Sequence, residues 1–219
     1  LDLSDAVKKG MIQGPEFVAA GKCISMTGGH GWSIGKEADG VDEVMKAARE
    51  QLKAGADLLK VMATGGVMTP GVEPGSPQLS MEEMRAAVVE AHKVGKKVAT
   101  HAQGAEGIKN AVLAGVDSVE HGIFLTDEII ELMLERGTYL VPTLAAPYFI
   151  VKNGVEAGIP EYAVRKSESV MESHMNSFKK AHKAGVKIAM GTDAGTPFNL
   201  HDKAPYELKL MAECGMTPM

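Results

Sequence analysis

Cysteine is nearly missing from this chain of 219 residues: Cys23 and Cys214 are its only two. So few and so separated a pair excludes a disulfide framework and a cysteine-based zinc site, and it suits a reducing compartment. Charge of one sign is missing too. The formal net charge of −5 is mild, and no basic run is long enough to suggest a nucleic-acid partner. No apolar run approaches the roughly 20 residues that span a bilayer, and no stretch has the pattern of a signal peptide. The expectation is a soluble, cytoplasmic protein with neither a nucleic acid nor a membrane as partner.

Length is also short of one mark. It is ample for a buried core, yet below the roughly 250 residues of a complete eight-stranded α/β barrel. The chain opens on Leu1, and Thr217 followed by Pro218 reads as the N-cap and first residue of a helix that does not follow. The expectation is that the chain belongs to something longer and that the natural domain continues beyond Met219.

What the chain does have is a repeated pattern. Five amphipathic segments close on a glycine (Gly55, Gly95, Gly115, Gly137 and Gly185), and an apolar stretch follows each within a few residues: ADLLKVMA, KKVATHA, VDSVEHG, TYLVPTL and VKIAMGTDAG. Glycine suits the left-handed position just past a helix end, so each marks a helix-to-strand turn. Val41, Val44, Met45, Ala48 and Leu52 form a helical stripe, and Ser80 with Glu83 makes a capping box ahead of Met84 and Val88. Helices are predicted over residues 105–114, 127–136 and about 161–184, and an early strand over residues 17–25. The sum is α/β: about six nearly continuous apolar strands, as in a parallel sheet covered on both faces.

In such a sheet the carboxyl ends of the strands share one face, so residues far apart in sequence converge there. Four strands deliver chemistry at that end. Lys60 lies inside the run LLKVM, where an unpaired ammonium would be costly. His101 ends KVATH, His121 ends VEH, and Asp193 sits in MGTDAG. Each alone has a plain reading: a snorkelling lysine, satisfied strand-end histidines, a turn aspartate. Together they supply nitrogen and oxygen ligands suited to zinc or a similar divalent ion.

LLKVMATGG, ATHAQG, VEHG and GTDAG, with SMTGGHGW around His30, resemble the amidohydrolase superfamily, in its imidazolonepropionase-like and Xaa-Pro dipeptidase-like branch. The resemblance covers essentially the whole chain. It implies an incomplete (β/α)8 TIM barrel over residues 1–219, lacking the first two strands and the small β domain. It implies a carbamate on Lys60 bridging two metals, His101 and His121 on the second metal, and Asp193 on the first metal as general base and proton carrier. It also implies a His-x-His pair at the first strand, and none of the seven histidines here stands two residues from another.

The function so implied is metal-dependent hydrolysis of an amide or peptide bond in a small substrate, such as a dipeptide (Xaa-Pro or another C-terminal residue) or an N-acyl amino acid. Two alternatives stay open: a non-catalytic metal-binding fragment, and a one-metal ring hydrolase resembling imidazolonepropionase. His30, Tyr148 and His201 are candidate substrate-binding residues, with Tyr148 read as following the strand in VPTLAAPY. Gly65 and Gly66 are candidates for close backbone approach. His92, His174 and His182 fall in helical segments of the outer ring, and the fourteen methionines are read as packing. Six strands of a barrel leave two edges open, so self-association is expected.

Overall fold

The ladder that organises the molecule runs from Lys97↔Leu58 to Ala102↔His121 and joins three parallel strands in register. In this computed structural model, which describes residues 1–217, the elements follow in chain order as α1 (Asp2–Lys8), β1 (Ile24–Ser25), β2 (Lys36–Glu37), α2 (Val41–Lys53), β3 (Leu58–Met62), α3 (Met81–Lys93), β4 (Lys97–Ala102), α4 (Ala105–Ala114), β5 (Ser118–His121), α5 (Asp127–Arg136), β6 (Tyr139–Val141), α6 (Ala145–Asn153), α7 (Glu161–Ala184) and α8 (Ala204–Glu213). The six strands form one open, all-parallel sheet in the order β2-β1-β3-β4-β5-β6, as expected of an incomplete barrel. Among the described residues, no helix is long and apolar enough to cross a membrane.

The helices form where local chemistry prescribes. The Ser80 hydroxyl accepts the Glu83 N–H at 3.2 Å while the Glu83 carboxylate accepts the Ser80 N–H at 2.7 Å, closing the capping box of α3. Thr126 caps α5 through the Ile129 N–H at 3.3 Å. The five helix-ending glycines all take positive φ, between 67° and 98°, a region that an L side chain would resist. Side chains then alternate across the sheet. Leu59, Val61, Val98, Ala102, Val119 and Leu140 face the helices, fully buried against Ala47, Met84, Ala87, Ile108, Ala111 and Met133. Each large member of that layer contributes roughly 1.5–3 kcal/mol by leaving water.

Two of the six anticipated strands differ. Of residues 17–25 only Ile24 and Ser25 join the sheet. The preceding backbone is held by side chains instead: Asp57 accepts the Ala19 N–H at 3.0 Å and Gln51 accepts the Lys22 N–H at 2.9 Å. Polar Lys36 and Glu37 form the edge strand β2, which hydrophobic pattern does not announce. The stretch after Gly185 contributes a single parallel bridge, Leu140↔Ile188, rather than a strand. The stretch VPTLAAPY also divides, into the end of β6 and the start of α6, so Tyr148 lies in a helix. The helix start anticipated at Thr217 and Pro218 depends on Pro218, which lies outside the described residues.

Candidate active site

The register sets the site. Lys60 pairs with Ala99, Met62 with His101, His101 with Glu120 and Glu120 with Val141, so alternation turns Lys60, Met62, His101, Glu120 and Val141 to the face opposite the helices. They floor a cavity of about 650 Å³, on which His30, His121 and Asp193 also open. Its walls are largely apolar, with Trp32, Met68, Ile123, Ile150 and Val170 among them. Polar groups gathered on the floor of an apolar cleft are the usual form of a small-molecule site.

Three imidazoles meet there. The His101 ring lies 4.1 Å from that of His30 and 4.6 Å from that of His121, the second contact edge to face. His30 Nδ1 is 2.6 Å from Thr69 Oγ1, and His121 Nδ1 is 2.6 Å from Thr143 Oγ1. The backbone bends to make this possible: His121, Thr143 and Asp193 have φ of 74°, 53° and 55°. Non-glycine residues in this region carry strain of order 1–3 kcal/mol, and such strain gathers at functional sites. Gly66 packs directly on the His30 ring, where a Cβ would stand 2.6 Å from His30 Cε1.

Burial keeps the imidazoles neutral. It is the main force pushing His101 and His121 well below their ordinary pKa, with neighbouring histidines and Lys60 adding to it. It takes His30 down to about 4, helped by Lys60 and Lys166. Asp193 opens on the cavity and stays accessible to solvent. Partial desolvation raises its carboxyl above the usual range, Lys60 opposing and Glu120 assisting.

Lys60 resolves the puzzle of an ammonium in an apolar strand by pairing with Glu120, whose other oxygen accepts the Ser118 hydroxyl at 2.6 Å. Glu120 was not singled out in the sequence. Its signal was there: a glutamate two residues past Ser118 in an apolar strand shares Lys60's face once the register is known.

The other candidates divide. Tyr148 stands off the cavity, its hydroxyl 3.0 Å from that of Tyr206 on α8. His201 is exposed in a short 3-10 turn and does not line the cavity. His92 pairs with Asp117 at 2.9 Å and His182 stacks on Phe178, both away from the cavity. His174 departs from the outer-ring assignment: it is 1% exposed and reaches the cavity wall. Its Nε2–H is directed at the carbonyls of His121, at 3.0 Å, and Pro142, at 2.7 Å.

The donor chemistry fits a divalent cation, because two adjacent neutral imidazoles and a nearby carboxylate are groups that bind one. The set is short in geometry: among the described residues, no group of three or more His, Cys, Asp and Glu is arranged to hold a metal ion.

Residues 1–219 match the amidohydrolase family throughout. The chain belongs to that family. Ochratoxinase of Aspergillus niger is 35% identical over 247 residues, covering 100% of this amidohydrolase chain and 50% of that protein. A crystal structure of a Xaa-Pro dipeptidase with methionine bound in its active site superposes with a TM-score of 0.91 at 41% identity, covering 98% of this chain and 56% of that one. A prolidase crystallised with N-methylphosphonate-L-proline superposes at 0.87 and 32% identity, covering 98% and 56%. The present amidohydrolase chain thus spans about half the length of the relatives it matches.

Proposed function

We propose that this chain carries the larger part of the catalytic barrel of a metal-dependent hydrolase that cleaves the amide or peptide bond of a small substrate, a dipeptide such as Xaa-Pro or an N-acyl amino acid. The observation that carries the reading is the convergence of Lys60, His101, His121 and Asp193 from four separate segments on one cavity. The relatives named for ochratoxin, Xaa-Pro and prolyl substrates support the same bond type.

Once carbamylated, and so parted from Glu120, Lys60 would hold the metal together with His101, His121 and Asp193, and zinc is the metal proposed. When bound, it would polarise the scissile carbonyl and acidify a water. The protein's own groups do the rest. Asp193, which opens on the same cavity, would act as the base that accepts a proton and passes it to the leaving amine. His30, held by Thr69 and the Gln78 side chain, orients the substrate from the opposite wall. The apolar walls exclude water and receive an apolar side chain. Tyr148 and His201 do not line this cavity.

The test is zinc per chain, together with hydrolysis of Met-Pro, after expression with bicarbonate, in the wild type and in Lys60→Ala. The expected result is bound zinc and released proline, both lost on substitution. Zinc without hydrolysis would favour a metal-binding unit without catalysis of its own, and neither would defeat the proposal.

A further inference from the structure

The buried stripe of α7 runs through Ala163, Ser167, Val170, Ser177, Phe178 and Ala181, and it contains one ammonium. Lys166 is 4% exposed, and its Nζ donates to the Thr69 carbonyl at 2.9 Å and to the Val72 carbonyl. No carboxylate among the described residues forms an ion pair with it. The carbonyls bracket a tight turn: Pro70 and Gly71, the latter with φ of 72°, suit the two central positions of a type II turn. One turn before Lys166 on the same face, the Tyr162 hydroxyl donates to the Met68 carbonyl at 3.2 Å. Val67 and Met68 pack with Ile150, Ile159, Ala163 and Val164 in a cluster separate from the main core.

The fastened segment belongs to the long connection between β3 and α3, a length more usual for functional loops than for plain connections. Val67, Met68, Thr69 and Pro70 wall the cavity. Thr69 Oγ1 holds His30, which stacks on His101. A continuous contact therefore runs from Lys166 through Thr69 and His30 to His101.

Stability alone does not call for a lysine at this place. A buried charge costs several kcal/mol in desolvation, and an apolar residue of similar volume is often neutral or stabilising in its stead. What a methionine would lack is the pair of donors. The buried Thr69 carbonyl and the part-buried Val72 carbonyl, freed from them, reach water only if the loop lifts.

We propose that Lys166 is a positioning residue that clamps residues 66–74 over the cavity and, through Thr69 and His30, fixes the wall against which substrate is held. The clamp itself stands on geometry, and its bearing on catalysis rests on the hydrolase reading above.

Three variants test it in the full chain: Lys166→Met, Lys166→Gln, which keeps N–H donors on a shorter, neutral side chain, and Thr69→Val, which keeps the carbonyl but cuts the link to His30. Hydrogen–deuterium exchange over residues 66–74 is expected to rise on the order of ten- to hundredfold in Lys166→Met and less in Lys166→Gln, at an unchanged thermal midpoint. Thr69→Val leaves the loop protected. With Met-Pro as probe, both Lys166→Met and Thr69→Val raise KM several-fold while kcat stays close to wild type.

Equal loop exchange in wild type, Gln and Met forms would overturn the clamp, as would a rise matched across the whole molecule. Should Lys166→Met fail to fold, wild type against Lys166→Gln decides by the same criterion. A fall in kcat with KM unchanged would overturn the substrate-wall role. If the wild type does not cleave Met-Pro, the hydrolase reading fails while the exchange result still judges the clamp.

Discussion

From the middle of α7, His174 donates one N–H between two carbonyls, those of His121 and Pro142, at 3.0 and 2.7 Å. These carbonyls sit at the ends of neighbouring strands, beside the two positive-φ residues His121 and Thr143. A single imidazole thus ties both strained strand ends to one helix, and it does so as the neutral ring, its pKa taken by burial to about 4. Replacing His174 with phenylalanine keeps an aromatic ring, somewhat larger, and removes the donor, leaving two buried carbonyls unpaired. The expected loss of stability is about 2–4 kcal/mol in urea denaturation, and His174→Gln is expected to lose less.

Glu207 reaches from α8 to the start of α6, where it accepts the N–H groups of Leu144 at 2.9 Å and Ala145 at 2.7 Å. It is fully buried, and that desolvation lifts its carboxyl to about 7 against the pull of the two N–H groups. Between its ordinary value and 7 the folded state keeps a proton that the unfolded chain has released, so stability falls as pH rises through that window. Buried imidazoles act oppositely below about 6.5, so the comparison must be differential. Relative to Glu207→Gln, the wild type is expected to be about 1–3 kcal/mol more stable at pH 5 than at pH 8, measured by denaturant unfolding at both.

Gly104, just before α4, meets the loop between β3 and α3 at Gly75. A Cβ there would stand 2.0 Å from the Gly75 carbonyl oxygen, a backbone atom that no rotamer change can move. Gly104→Ala should cost roughly 2–4 kcal/mol and loosen residues 66–74, read by thermal melting and hydrogen exchange. The same change at Gly40, whose Cβ would meet nothing within 4 Å, creates no contact. Its cost comes from its φ of 81° alone.

The sheet ends at β2 on one side and at the lone Ile188 bridge beside β6 on the other. Tyr139, on the face turned from the helices, is 44% exposed. Open edges with apolar side chains nearby invite pairing. The chain is expected to self-associate as its concentration rises, read by light scattering on sizing columns. A concentration-independent monomer would count against it.

Helices α4 and α5 were legible to the residue, and all five helix-ending glycines took the conformation that their positions called for. Capping boxes, glycine stops and apolar periodicity act within a turn or two of chain, so sequence order already contains them. Two strand ends were legible for the same reason: His101 and His121 stand where an apolar run gives way to a loop, whereas Lys60 was marked by its place inside the apolar run of β3.

Helix α6 was not legible, because Leu144 offers no side-chain cap and the groups that cap it come from Glu207, distant in sequence. Lys166 and His174 likewise sit in a helical pattern that fits solvent or core equally well. What they touch is fixed by how α7 lies across the strand ends. Sequence alone determined the parallel β/α order and the residues brought to one edge of it, since both follow from local periodicity. The pairing of Lys60 with Glu120, the stacking of three histidines and the fastening of the loop were decided only in three dimensions, where register and packing bring together groups that no local interaction connects.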